Sequence, residues 1–147
     1  MAGTASVVFV HPESFTDMGK WPGDLSQADY QAQLSHHIEQ LAARTLPAPQ
    51  TLSIEVLDVD LAGRLEPLRR SGDQIRVMRG VTWPSIRLRY TLKQGGQVIA
   101  QGEETVADMN YLDPTNSYRE DEPLRYEKRM LDRWFHRRLV ELEPAPR

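Results

Sequence analysis

The sequence predicts an α+β fold: an antiparallel or mixed sheet of about five strands with two helices packed on one face, in the order β-α-β-β-β-β-α. Three observations carry this expectation. Ser85 to Lys93 alternates apolar and polar residues and runs into Gln94-Gly95-Gly96-Gln97, a hairpin turn. Two separate segments, near residues 26–45 and after Pro123, repeat apolar residues at helical spacing. The strand-like segments outnumber the helical ones, and the clearest pair among them is the hairpin.

The first strand is Ser6-Val7-Val8-Phe9-Val10, rich in β-branched and aromatic residues. It is apolar on both faces, which predicts a central place in the sheet. His11-Pro12 ends it, because proline brings no N–H to a ladder. Glu13 to Gly23 reads as a loop, pinned to the body of the domain by Phe15, Met18 and Trp21. Ser26-Gln27-Ala28-Asp29 has the form of a capping box with Asp in place of Glu. The helix it starts runs to about Thr45, where Leu46-Pro47 stops it. Tyr30, Leu34, Ile38, Leu41 and Thr45 share its core face; His37 falls within that face and His36 points away.

Thr51 to Leu61 is strand-like with a change of phase. Leu52, Ile54 and Val56 have one parity; Leu57, Val59 and Leu61 have the other. One extra residue near Val56-Leu57, a β-bulge, would aim both sets at one core and turn Asp58 and Asp60 outward beside Glu55. Ala62-Gly63 turns the chain, Arg64 to Gly72 reads as a polar loop, and Gln74 to Met78 as a short strand. In the hairpin, Ile86, Leu88, Tyr90 and Leu92 oppose Arg87, Arg89, Thr91 and Lys93, and Val98 to Val106 pairs back. Asp108 to Glu122 has no period and reads as a loop. Pro123 is expected at the first position of the last helix. Its core stripe is Leu124, Leu131, Phe135, Leu139 and Leu142, flanked by Trp134. Nothing divides the chain, so residues 1–147 form one domain, with 1–5 and 144–147 expected as flexible ends.

Composition narrows function by exclusion. The chain has 147 residues, 39% hydrophobic and 27% charged, which suits one globular core. A formal net charge of −3 gives no general attraction to nucleic acid, and none is expected as a partner. With no cysteine there are no disulfides, thiolate nucleophiles or Cys-ligated metals. No apolar run approaches the ~18 residues that span a bilayer. No phosphate loop or nucleophile elbow is present, so no cofactor is expected.

Several stretches together resemble a known family. They are Val8-Phe9-Val10-His11-Pro12-Glu13-Ser14-Phe15-Thr16-Asp17, Asp58-Val59-Asp60-Leu61-Ala62-Gly63-Arg64, Gly102-Glu103-Glu104, and Tyr126-Glu127-Lys128 running to Leu131 and Trp134. The chain is similar to the bacterial family called domain of unknown function 3016, over nearly its whole length. The resemblance brings no established activity and no catalytic residues. It implies a small exported protein of the periplasm or envelope, whose signal sequence has been removed; a cytoplasmic protein is the alternative reading of the start at Met1. The expected role is a non-enzymatic binding or assembly module acting on an unknown protein or envelope ligand.

Candidate binding residues are Asp58, Asp60, Arg64, Glu13, Asp17, Glu103 and Glu104. Alternate strand positions put Asp58 and Asp60 on one face, roughly 6–7 Å apart. They could hold a divalent cation, or serve a metal-dependent hydrolase, if further carboxylates converged on them. The simpler account pairs them with Arg87 and Arg89 across the sheet. Arg125, Arg129, Arg133 and Arg137 form a basic stripe at i+4 steps on the last helix. It is expected as a solvated face, with contact to an acidic membrane surface as its functional reading. His37 is expected as a hydrogen-bonded structural histidine. His11 and His136 have no local partner in sequence.

Overall fold

The computed structural model describes residues 3–18, 26–67, 74–78, 82–119 and 122–144, with the side chains of 64–67 and 74–77 outside the description. Among the described residues, six strands and two α-helices follow in the order β1 (Thr4–Phe9), α1 (Gln27–Thr45), β2 (Gln50–Asp60), β3 (Arg64–Pro67), β4 (Gln74–Val77), β5 (Ser85–Gln94), β6 (Gln97–Ala107) and α2 (Arg125–Phe135). Four strands make one mixed sheet in the order β1-β2-β5-β6, and β3 pairs with β4 in a separate antiparallel ribbon. The fold is α+β, as the alternation and the helical periods predict.

β1 and β2 are parallel, with Val7 opposite Ile54. Parallel neighbours need a crossover, and α1 supplies it. Its start is the expected one: the Ser26 side chain accepts the Asp29 N–H and its hydroxyl donates to the Asp29 carboxylate at 2.8 Å. Tyr30, Leu34, Ile38 and Leu41 are buried, but Thr45 is exposed and Ala42 and Leu46 complete the face instead. In β2 the register slips between Val56 and Asp58, so Leu57 is the extra residue. Leu52, Ile54, Val56, Val59 and Leu61 then all enter the core. Leu57, expected with them, is half-buried, because the bulged residue is the one the ladder ejects.

β5 and β6 form the predicted hairpin. Gly95 and Gly96 have φ of 57° and 87°, which L-residues resist and which a tight two-residue hairpin turn requires. Ile86, Leu88, Tyr90 and Leu92 are buried on the helix side; Arg87, Arg89 and Lys93 are exposed on the other.

Other elements also depart from what the residue pattern predicts. β1 is an edge strand, not a central one: Val8 is 56% exposed, and only Ala5, Val7 and Phe9 pack on the core. Residues 64–67, read as loop, form β3. Thr4 and Ala5, read as a flexible end, are part of β1. The last helix starts at Arg125 rather than Pro123, behind a left-handed Leu124 (φ 60°), and passes after Phe135 into a π-helical turn, His136–Val140. Leu124, Leu131, Phe135 and Leu139 are core as expected, and Trp134 is 1% exposed. Leu142, past the turn, is 48% exposed.

One cluster joins α1, α2 and the inner face of the sheet. Phe15 and Met18 of the loop after β1 are fully buried in it, with the Phe15 ring 6.5 Å from that of Phe9. Trp21, the third expected pin, lies outside the described residues.

Candidate functional site

Both helices pack on one side, and among the described residues no helix lies on the other side of the sheet. Alternation along each strand sends Thr4, Ser6 and Val8, then Thr51, Ser53 and Glu55, then Arg87, Arg89, Thr91 and Lys93, then Gln101, Glu103 and Thr105 to that open face. The registers arrange them in rows. Ser6, Ser53, Thr91 and Gln101 form an uncharged polar row, and Val8, Glu55, Arg89 and Glu103 form the next. Within that second row Arg89 donates to Glu55 at 3.2 Å and to Glu103 at 3.0 Å, and Arg87, one row further on opposite Thr105, lies 3.7 Å from Glu103. These groups are 39–56% exposed, so each pair contributes only about 0.2–1 kcal/mol. The ladder sets the pattern of charge on the face far more than the stability of the sheet.

The six candidates whose side chains are described, Asp58, Asp60, Glu13, Asp17, Glu103 and Glu104, do not converge on one point. Asp58 stands opposite Arg87 in the ladder, yet its carboxylate is taken by Thr16, which donates its backbone N–H and its hydroxyl at 2.7 Å each. The arginines therefore pair with glutamates, and not with Asp58 as the charge pattern suggested. The loop after β1 folds back and brings two donors of one residue, a backbone N–H and a hydroxyl, onto the two carboxylate oxygens. Asp17 meets β2 through its backbone: its N–H donates to the Val59 carbonyl and its carbonyl accepts from Leu61. Asp60 is half-buried at the end of β2. Glu13 is exposed, 3.4 Å from His11. Arg64 opens β3, and its side chain lies outside the description.

Glu103 and Glu104 face opposite ways. Glu104 points into the molecule, where it accepts Trp134 Nε1 at 2.6 Å and Arg138 at 2.7 and 3.2 Å. Among the described residues, no three histidine, aspartate or glutamate side chains converge on a point that could hold a metal ion.

The basic stripe is not one solvated face either. Arg129 is 6% exposed and donates to the Asp113 carbonyl at 3.2 Å. Arg125 is half-buried with its guanidinium 5.2 Å from the Tyr126 ring. The segment after β6 crosses the first half of α2 and covers both; its Tyr111 is buried edge-on against Tyr126. Arg133 and Arg137 remain exposed.

A polar cluster between the helices escaped the sequence reading. His37 is buried, as expected, and its Nε2 lies 2.7 Å from Asp132 Oδ1. Tyr118 donates to the other Asp132 oxygen at 2.6 Å. Burial, and then this bond to a carboxylate, raise the Tyr118 phenol well above its ordinary range. Lys128 beside it bonds Gln33 and Glu122, and holds the Glu122 carboxyl below its usual value. Asp132 and Tyr118 sit on a helix and a loop with no local pattern to mark them, so only folding reveals the trio.

The stretches that carry the family resemblance are joined by these bonds. Thr16 meets Asp58, the Ala62 N–H donates to the buried Glu127 carboxylate at 2.7 Å, and Glu104 meets Trp134. No curated protein and no solved structure matches the chain. A family model described as "Protein of unknown function (DUF3016)" matches residues 3–137. The chain belongs to that family.

Proposed function

We propose that this protein is a non-enzymatic binding or assembly module, exported to the cell envelope, that engages its partner through the open face of the sheet. The observation that supports this is the uncovered four-strand face with its fixed pattern of charge, Glu55-Arg89-Glu103-Arg87, beside the uncharged row Ser6-Ser53-Thr91-Gln101. Such a face offers a partner rigid, pre-arranged donors and acceptors at little ordering cost. Its charges are exposed, so they act on specificity and association rate rather than on folding. The carboxylates that chemistry would need are already engaged: Asp58 by Thr16, Glu104 by Arg138 and Trp134, Asp132 by His37 and Tyr118. Export is what the resemblance read in the sequence implies.

Purification of the tagged native protein from its host's envelope fraction tests this reading. Wild type should retain a defined partner, and the double variant Arg87→Gln, Arg89→Gln should lose it while still unfolding cooperatively, with only the small loss of stability that three exposed ion pairs carry. Retention of the same partner by the variant would contradict the role of this face. Recovery of the full-length protein only in the cytosol, unprocessed, would contradict export.

A further inference from the structure

The two edges of the sheet differ. β6 carries the usual protections against stray pairing: a register slip at Ile99, between Val98 and Ala100, and two charged residues, Glu103 and Glu104. β1, Thr4-Ala5-Ser6-Val7-Val8-Phe9, has no charge, no proline and no slip in its register against β2. The Val10 N–H bonds the Val56 carbonyl, which fixes the phase of the strand. Even-numbered residues direct their backbone groups at β2. Ala5, Val7 and Phe9 direct theirs outward, and among the described residues these N–H and C=O groups have no backbone partner. The side chains of the same three residues are only partly buried against the core.

We propose that the β1 edge pairs antiparallel with β1 of a second copy of this chain, centred on Val7, and so joins two four-stranded sheets into one of eight strands. The strand is self-complementary in that register. Val7 faces the partner's Val7, as a hydrogen-bonded pair. Ala5 faces the partner's Phe9 and Phe9 the partner's Ala5, small against large, on the side of the helices. All three are the residues whose backbone groups point outward, so each pair exchanges two hydrogen bonds. On the open face Ser6 stands opposite the partner's Val8, both exposed. No like charges meet, because β1 contains none. The contact is isologous and closed, which makes a dimer and not a filament. It is independent of what the open face binds.

Light scattering after gel filtration, on the full chain, tests this. Wild type at ~100 µM should have twice its 16.9 kDa mass and dissociate on dilution. Ser6→Lys with Val8→Lys sets lysines opposite lysines across the axis, and Ser6→Asp with Val8→Asp does the same with aspartates. Each variant alone should be monomeric, with wild-type helical circular dichroism, since both positions are exposed. Their mixture should recover the double mass as a heterodimer. A third variant, Ser6→Cys with Val8→Cys, puts thiols across a pair with Cα atoms about 4.5 Å apart. With oxidised glutathione as the oxidant it should form a disulfide-linked dimer in a chain that has no other cysteine. A monomeric wild type would overturn the proposal and leave the edge to a strand from some other protein. So would a dimer that the lysine pair leaves intact, or two monomeric variants that fail to associate when mixed.

Discussion

Glu104 and Arg138 form a buried, two-pronged ion pair, with Nε 2.7 Å from Oε1 and Nη2 3.2 Å from Oε2. It ties the edge strand β6 to the π-helical turn behind α2, and both side chains are less than a tenth exposed. The Trp134 indole shares the same carboxylate. The carboxylate in turn holds the Arg138 guanidinium above its ordinary pKa. Breaking a buried pair from one side strands the other charge, which costs about 3–5 kcal/mol. Glu104→Ala should therefore lose that much stability in urea unfolding. A loss near zero would show that water reaches Arg138.

The Thr16–Asp58 fork pins the loop after β1 onto β2. Hydrogen bonds to a charged group contribute roughly 1.5–3 kcal/mol. Asp58→Ala should cost about that much by denaturant unfolding, and speed amide exchange at Thr16. Asp58→Asn, which keeps one oxygen acceptor, should cost less. Unchanged Thr16 exchange in Asp58→Ala would refute the link.

Two phenols should ionise late. Burial, then the bond and charge of Asp132, raise Tyr118; burial, then Glu104, raise Tyr90. A phenol whose folded pKa exceeds its unfolded value near 10 keeps its proton longer in the folded state. Its contribution is whole below pH 10 or so and is lost as pH climbs above that. Ultraviolet titration should show these two phenols ionising only with alkaline unfolding. Tyr118→Phe should remove one of them and flatten the alkaline loss of stability. Ionisation of every phenol near pH 10 in the folded protein would contradict this.

Phe135 and Leu142 separate core from tail. Phe135 is 1% exposed and Leu142 48%. Phe135→Ala should cost about 3–5 kcal/mol, and Leu142→Ala no more than ~0.5 kcal/mol. Equal effects would mean that the helix continues through residue 142 as its apolar spacing suggested.

Local chemistry made much of this fold legible. The β5–β6 hairpin was readable because a period of two met a Gly-Gly turn. The β2 bulge showed as a flip of parity at Val56-Leu57, and α1 as Ser26 with Asp29 three residues on. What remained hidden depends on neighbours far along the chain. β1 looked central because Val8 is apolar, although it lies on an edge. Arg129 looked solvated until the segment after β6 was seen to cover it. Glu104 looked like Glu103 until the strand turned one inward and one outward. Thr16, the partner of Asp58, sits 42 residues away, and Asp132, the partner of His37, sits 95 away, both beyond any local pattern.

The account rests on the open face of the sheet as the surface that meets a partner. Photo-crosslinking amino acids at Ser53 and at Thr105, on that face, and at Glu39, on the outer side of α1, test it in the native host. The account predicts one defined adduct from Ser53 and Thr105 and none from Glu39. An adduct from Glu39 with none from the sheet would contradict it.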